Sequence, residues 1–105
     1  MTQLRPPAAK ALLDAPAPPQ VLDVREAWEV ERCGIAGAIW IPLGQLAARH
    51  AELDPSRPVL VVCHHGVRSW RAGRLLESLG FPSVINLAGG VEAWACEVEP
   101  TMARY

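Results

Sequence analysis

The apolar residues of this chain fall in short runs, each closed by proline, glycine or a charged residue. Val59-Leu60-Val61-Val62 is the clearest run. It is apolar throughout and mostly β-branched, which predicts a strand buried on both faces of a parallel sheet. From Ser69 to Leu79 the period changes: Ala72, Leu75, Leu76 and Leu79 repeat at i, i+3, i+4 and i+7 and predict a helix, with Gly80 as its stop. Val21–Val24, Ala38–Ile41 and Ser83–Leu87 read as further short strands. Pro7–Asp14, Glu26–Arg32, Leu43–Leu53 and Val91–Cys96 read as helices, with Gly34 closing the second of them. Pro7 suits a first helical turn, where a missing N–H costs little. Strands therefore alternate with helices, the order of an α/β domain with a mostly parallel sheet. In such sheets ligands bind beyond the carboxyl ends of the strands, so the segments after Val24, Ile41, Val62 and Leu87 should gather on one edge.

Composition narrows the class. The 105 residues make one domain's worth of chain, residues 1–105, and half of them are apolar, enough to bury a core. Pro16–Pro19 reads as a short linker within that domain. Ten basic against eleven acidic residues give a net charge of −1, without the basic excess of a nucleic-acid binder. No apolar run reaches the ~18 residues of a membrane span. The first residues lack the order of a signal peptide, and three cysteines make no disulfide framework. The expectation is a cytoplasmic protein with no membrane and no nucleic-acid partner.

The chemistry concentrates after the clearest strand, in Cys63-His64-His65-Gly66-Val67-Arg68, with Ser69 opening the helix. A loop between a buried strand and a helix can turn its N–H groups inward, and the helix N-terminus adds partial positive charge. Gly66 permits a conformation that a side chain forbids, and Arg68 adds a fixed positive charge. The hollow favours an anion, and the nearest anion is the Cys63 thiolate. Cys63 is therefore expected to be a nucleophile.

Four segments resemble the rhodanese family of sulfurtransferases: LDVREAWE (22–29), GIAGAIWIP (34–42), VVCHHGVRS (61–69) and NLAGGVEAW (86–94). Their order and spacing carry the resemblance from about Val21 to Ala95. It implies a three-layer fold in which a mostly parallel sheet is flanked by helices. It also implies a two-step reaction: Cys63 takes the outer sulfur of thiosulfate or a similar anionic donor as a persulfide, and cyanide, a thiol or a protein acceptor removes it. No metal or organic cofactor is implied. The chain departs from the family at Gly34–Gly37, where the family often has His-Ile-Pro-Gly, and at Trp40, often a polar residue. Both departures alter the rim of the site.

The remaining candidates have narrower roles. The loop His64, His65, Gly66, Val67, Arg68 and Ser69 is expected to hold the donor and the persulfide, with Arg68 either bonding loop carbonyls or stabilising sulfur charge. The two histidines in direct succession with Cys63 cannot easily turn three side chains onto one metal ion. Asp23 is expected to bond backbone N–H groups or an arginine, and Arg25 is a candidate for the pocket rim. Trp70 lies opposite the apolar stripe and is a second rim candidate, a docking point for a protein or bulky thiol. Trp28 and Trp94 are expected in the core, and Cys33 and Cys96 outside the chemistry. Two other classes compete. A cysteine phosphatase or arsenate reductase has five residues between Cys and Arg, but only four intervene here, leaving a hollow that fits one sulfur better than a tetrahedral phosphate. A binding module that carries persulfide to one protein partner shares the same residues.

Overall fold

The computed structural model describes residues 1–105. Five strands, β1 (Thr2–Leu4), β2 (Gln20–Asp23), β3 (Ile39–Trp40), β4 (Val59–Val62) and β5 (Val84–Leu87), form one sheet in the order β1-β5-β4-β2-β3. Every pairing is parallel, so all carboxyl ends lie along one edge. Four helices lie in the connections, α1 (Pro6–Leu13), α2 (Ala27–Arg32), α3 (Leu46–Arg49) and α4 (Val67–Ser78), and α5 (Gly90–Glu97) follows β5.

Alternation along β4 builds the three layers. Val59, Val61 and then Cys63 enter one core with Leu22, Leu46, Ala72 and Leu76. Leu60 and Val62 enter the other with Ala9, Leu87, Val91 and Trp94. A period of two thus carries Cys63 onto the α4 side of the sheet.

Several expectations change. Thr2–Leu4 is a strand that the apolar pattern did not announce; pairing with β5 makes it one. Leu43–Leu53 is a four-residue α-helix between two 3₁₀ turns rather than one helix. Helix α4 begins at Val67, two residues before the expected Ser69. Its buried stripe is Ser69, Ala72, Gly73 and Leu76, while Leu79 is 40% exposed at the helix end. Gly73 lets the Met1 and Val84 side chains close on the helix, which rotates the stripe one step from Leu75 and Leu79. Trp94 is in the core, but Trp28 is 56% exposed, because the buried residue of the short α2 is Glu29.

Candidate active site

The site begins with backbone constraints. Cys63 leaves β4, and its carbonyl and that of His64 accept hydrogen bonds from Val91 N–H (2.9 Å) and Glu92 N–H (3.1 Å), in the first turn of α5. A Cβ on Gly90 would collide with those same carbonyls, so only glycine admits this approach. The Cys63 and His64 carbonyls thus face α5, while the Gly66 N–H faces the sulfur. Gly66 completes the turn at φ +100 as the N-cap of α4, and a Cβ there would come within 3.2 Å of the Gly89 nitrogen and 3.3 Å of the Leu87 carbonyl.

The consequence is a sulfur under a helix N-terminus. Cys63 is 1% exposed, and its Sγ accepts from Gly66 N–H at 3.0 Å. The thiol lies 3.2 Å from Ser69 Oγ, in the first turn of α4. Ser69 in turn donates to Asn86 Oδ1 of β5. Residues 63–66 are thus the only ones between strand and helix, and Val67 and Arg68 belong to the helix.

The charged side chains lie elsewhere than the sequence alone implied. Arg68 reaches neither loop carbonyls nor the hollow; both of its terminal nitrogens grip Glu29, at 2.5 and 2.7 Å. This bidentate pair holds the Glu29 carboxyl down at about 2 and raises the Arg68 guanidinium above its ordinary value. Tyr105 Oη donates to the same carboxylate at 2.8 Å and accepts from Arg25 at 2.9 Å. Burial pushes the Tyr105 phenol up to about 12. Arg25 is not a rim residue. It is 0% exposed, and Asp23, the Cys33 carbonyl and Tyr105 take up its guanidinium. A buried guanidinium needs such partners, and once it has them it cannot also face a substrate. Asp23 does bond to an arginine, Arg25, and to that residue's own N–H.

The histidines differ from each other. His64 is half-buried, its ring stacked between His65 (4.0 Å) and Tyr105 (3.9 Å). Burial, and then the neighbouring His65, push its imidazole below the ordinary value. His65 is exposed. No cluster of three or more His, Cys, Asp or Glu side chains is arranged to hold a metal ion. Beside the loop opens a cavity of about 350 Å³ lined by Gln3, His65, Gly66, Val67, Trp70 and Asn86, with Ala88 and Gly89. Trp70 is 45% exposed on its wall, with the Arg74 guanidinium 5.7 Å from its ring centre. Trp40, in β3, donates its indole N–H to the Arg25 carbonyl at 2.8 Å.

The rhodanese-like domain family matches residues 6–97 of this chain. The chain belongs to that family. Its rhodanese fold is close to that of a rhodanese-related protein from Thermoplasma volcanium, with a TM-score of 0.86 at 30% identity over 95% of this chain and 96% of that one. The chain is 35% identical to the "Thiosulfate sulfurtransferase GlpE" of Coxiella burnetii, covering 70% of this chain and 69% of that protein. It is 37% identical to the "Putative sulfur carrier protein YrkF" of Bacillus subtilis over 88% of this chain. It spans 50% of that relative, and less than two thirds of others that it matches. The family is one of sulfurtransferases and sulfur carriers.

Four residues of this rhodanese site escaped the sequence reading: Glu29, Tyr105, Asn86 and Gln3. Glu29 had a local signal, since it completes a capping box with Glu26 at the start of α2. Asn86 had another, as the one polar residue within VINL. Tyr105 and Gln3 had none. Each meets the site only through contacts spanning about 40 to 83 residues of chain.

Proposed function

We propose that this rhodanese domain is a sulfurtransferase that moves a sulfane sulfur through a persulfide on Cys63. The supporting observation is the sulfur itself: Cys63 Sγ sits where a buried strand ends beneath the N-terminus of a twelve-residue helix, with Gly66 N–H aimed at it from 3.0 Å. An N–H at that place stabilises negative charge on sulfur and requires no reorganisation when the charge appears. The Cys63 thiolate attacks the outer sulfur of a donor such as thiosulfate. A sulfur–sulfur bond forms, and the donor's own sulfur–sulfur bond breaks, its electron pair leaving with sulfite. An acceptor, cyanide or a thiol, then attacks the outer sulfur and returns the electron pair to Cys63.

Incubation with thiosulfate should add about 32 Da, one sulfur, to the Cys63 peptide, and Cys63→Ser should lose both adduct and turnover. Retention of transfer in Cys63→Ser, with its loss in Cys33→Ser or Cys96→Ser, would assign the nucleophile elsewhere.

A second reading, in which the persulfide is handed to a protein, has its own support. Val67 and Trp70 are exposed beside the loop, and Arg74 stacks on Trp70 with no carboxylate partner, so the surface next to the sulfur is apolar and basic at once. Faster sulfur transfer to a protein thiol than to cyanide or dithiothreitol at equal concentration would favour the carrier.

A further inference from the structure

Two groups touch the Cys63 sulfur, Gly66 N–H and Ser69 Oγ, and one side chain is bonded to both of those residues. Asn86, 2% exposed in β5, donates through Nδ2 to the Gly66 carbonyl at 3.0 Å and to Gln3 Oε1 at 2.9 Å. A backbone carbonyl can only accept, so the Gly66 contact fixes which end of the amide is nitrogen. Asn86 Oδ1 then faces Ser69, and it too can only accept. Ser69 has a single hydroxyl proton, and Asn86 takes it. A lone pair is what remains toward Cys63, and the thiol S–H donates to it across 3.2 Å.

We infer that Asn86 is a positioning residue that acts on Cys63 through the Ser69 hydroxyl, holding the resting sulfur as the thiol and releasing Ser69 to the sulfur when it becomes charged. The inference rests on reading Cys63 as the nucleophile. On ionisation the Cys63 proton passes to water, and the Ser69 O–H turns from Asn86 Oδ1 to the sulfur. No covalent bond other than S–H breaks. Asn86 also lines the open cavity, from which a water can reach the Oδ1 that Ser69 vacates. The neutral amide cannot take the proton itself, so it directs the hydroxyl without serving as a base.

The test is alkylation of Cys63 by iodoacetamide, followed by the mass of its peptide, in wild type, Asn86→Ala, Ser69→Ala and the double variant. At pH ~7, Asn86→Ala should react about fivefold faster, because a free hydroxyl can donate to the thiolate. In the Ser69→Ala background the gain should vanish, since the group that transmits it is gone. At pH ~10.5, where the thiol ionises without help, all four rates should converge within about twofold. The charged groups on the elements packed around the loop are the same in every variant: Arg68 and its partner Glu29, the paired Asp23 and Arg25, His64, and Glu92. An equal gain in the double variant, an equal gain at high pH, or no gain at all would overturn the inference and leave Asn86 as packing for the loop. Asn86→Val, whose branched side chain suits a strand and offers Ser69 no acceptor, carries the same comparison where the alanine variant does not fold. No sulfur donor is present, so a failure here is distinct from a failure of sulfur transfer.

Discussion

The ends of β2 and β4 are neighbours on one sheet edge, yet they use polar groups in opposite ways. At the end of β2, Asp23, Arg25, Glu29, Arg68 and Tyr105 form a continuous chain of ion pairs and hydrogen bonds, mostly out of water. Every charge there has a partner. At the end of β4 the sulfur is met by one backbone N–H and one hydroxyl, and the side chains behind it, Ser69 and Asn86, are neutral. A fixed network of charges sets shape and leaves nothing free for substrate. A sulfur with neutral, directional partners can change its charge without stranding a buried countercharge. The first strand end is fixed by its charges, and the second is where the proposed chemistry takes place.

The largest expected effect is at the rigid end. Arg25→Met leaves Asp23 buried without its partner and should cost about 3–5 kcal/mol of stability, read from urea unfolding. If the variant is instead as stable as wild type and needs more thiosulfate for half-maximal loading, Arg25 serves the pocket and the comparison fails.

Next comes acid. The Glu29 carboxyl, held at about 2 by Arg68, ionises more readily in the folded chain than in the unfolded one, whose carboxyl keeps its ordinary 4.5. Its contribution is therefore complete above about pH 4.5 and is lost as pH falls from there through about 2, amounting to roughly 3 kcal/mol. Glu29→Gln should remove that part of the pH dependence between those limits. Unfolding curves of equal acid sensitivity in both proteins would show that the Arg68 pair does not carry it.

At the reactive end the effects are smaller in energy but appear in rate. One glycine inserted between Gly66 and Val67 widens the hollow and moves the Gly66 N–H off the sulfur. Sulfur loading should slow about tenfold, the worth of one hydrogen bond to a charged group, and phosphate-like oxyanions should bind better. Unchanged thiosulfate kinetics would remove loop length as the discriminator.

The smallest change in stability is expected at Trp70. Trp70→Ala should stay within about 1 kcal/mol of wild type and retain the cyanide reaction, while slowing transfer to a protein thiol. Equal slowing toward small and large acceptors would place Trp70 over the persulfide as a shield rather than on a docking face.

Much of the contrast was legible in the residues. The apolar β-branched run 59–62 required a buried central strand, and parity along it fixed the side on which residue 63 emerges. Cys63 to Arg68 spelled a strand-to-helix turn with Gly66 as its permissive residue, although the helix already takes in Val67 and Arg68. Asp23 in an apolar strand required a partner, and the nearby Arg25 is that partner. Trp70 opposite the apolar stripe had to face outward, and it does. These are local consequences of period, parity and desolvation.

The tertiary structure decided which partner each long side chain takes. Arg25 and Arg68 both carry guanidinium groups near the same edge, and nothing along the chain distinguishes a substrate-facing arginine from a sequestered one. Glu29, brought in by α2, and Tyr105, 76 residues further on, captured them. The polar strand Thr2–Leu4 likewise has no pattern of its own; β5 supplies the ladder and so delivers Gln3 to Asn86. Local signals fix what a residue needs, such as burial, a left-handed turn or a countercharge. Which group meets the need depends on loops closing over tens of residues, and no short-range pattern in the chain encodes that choice.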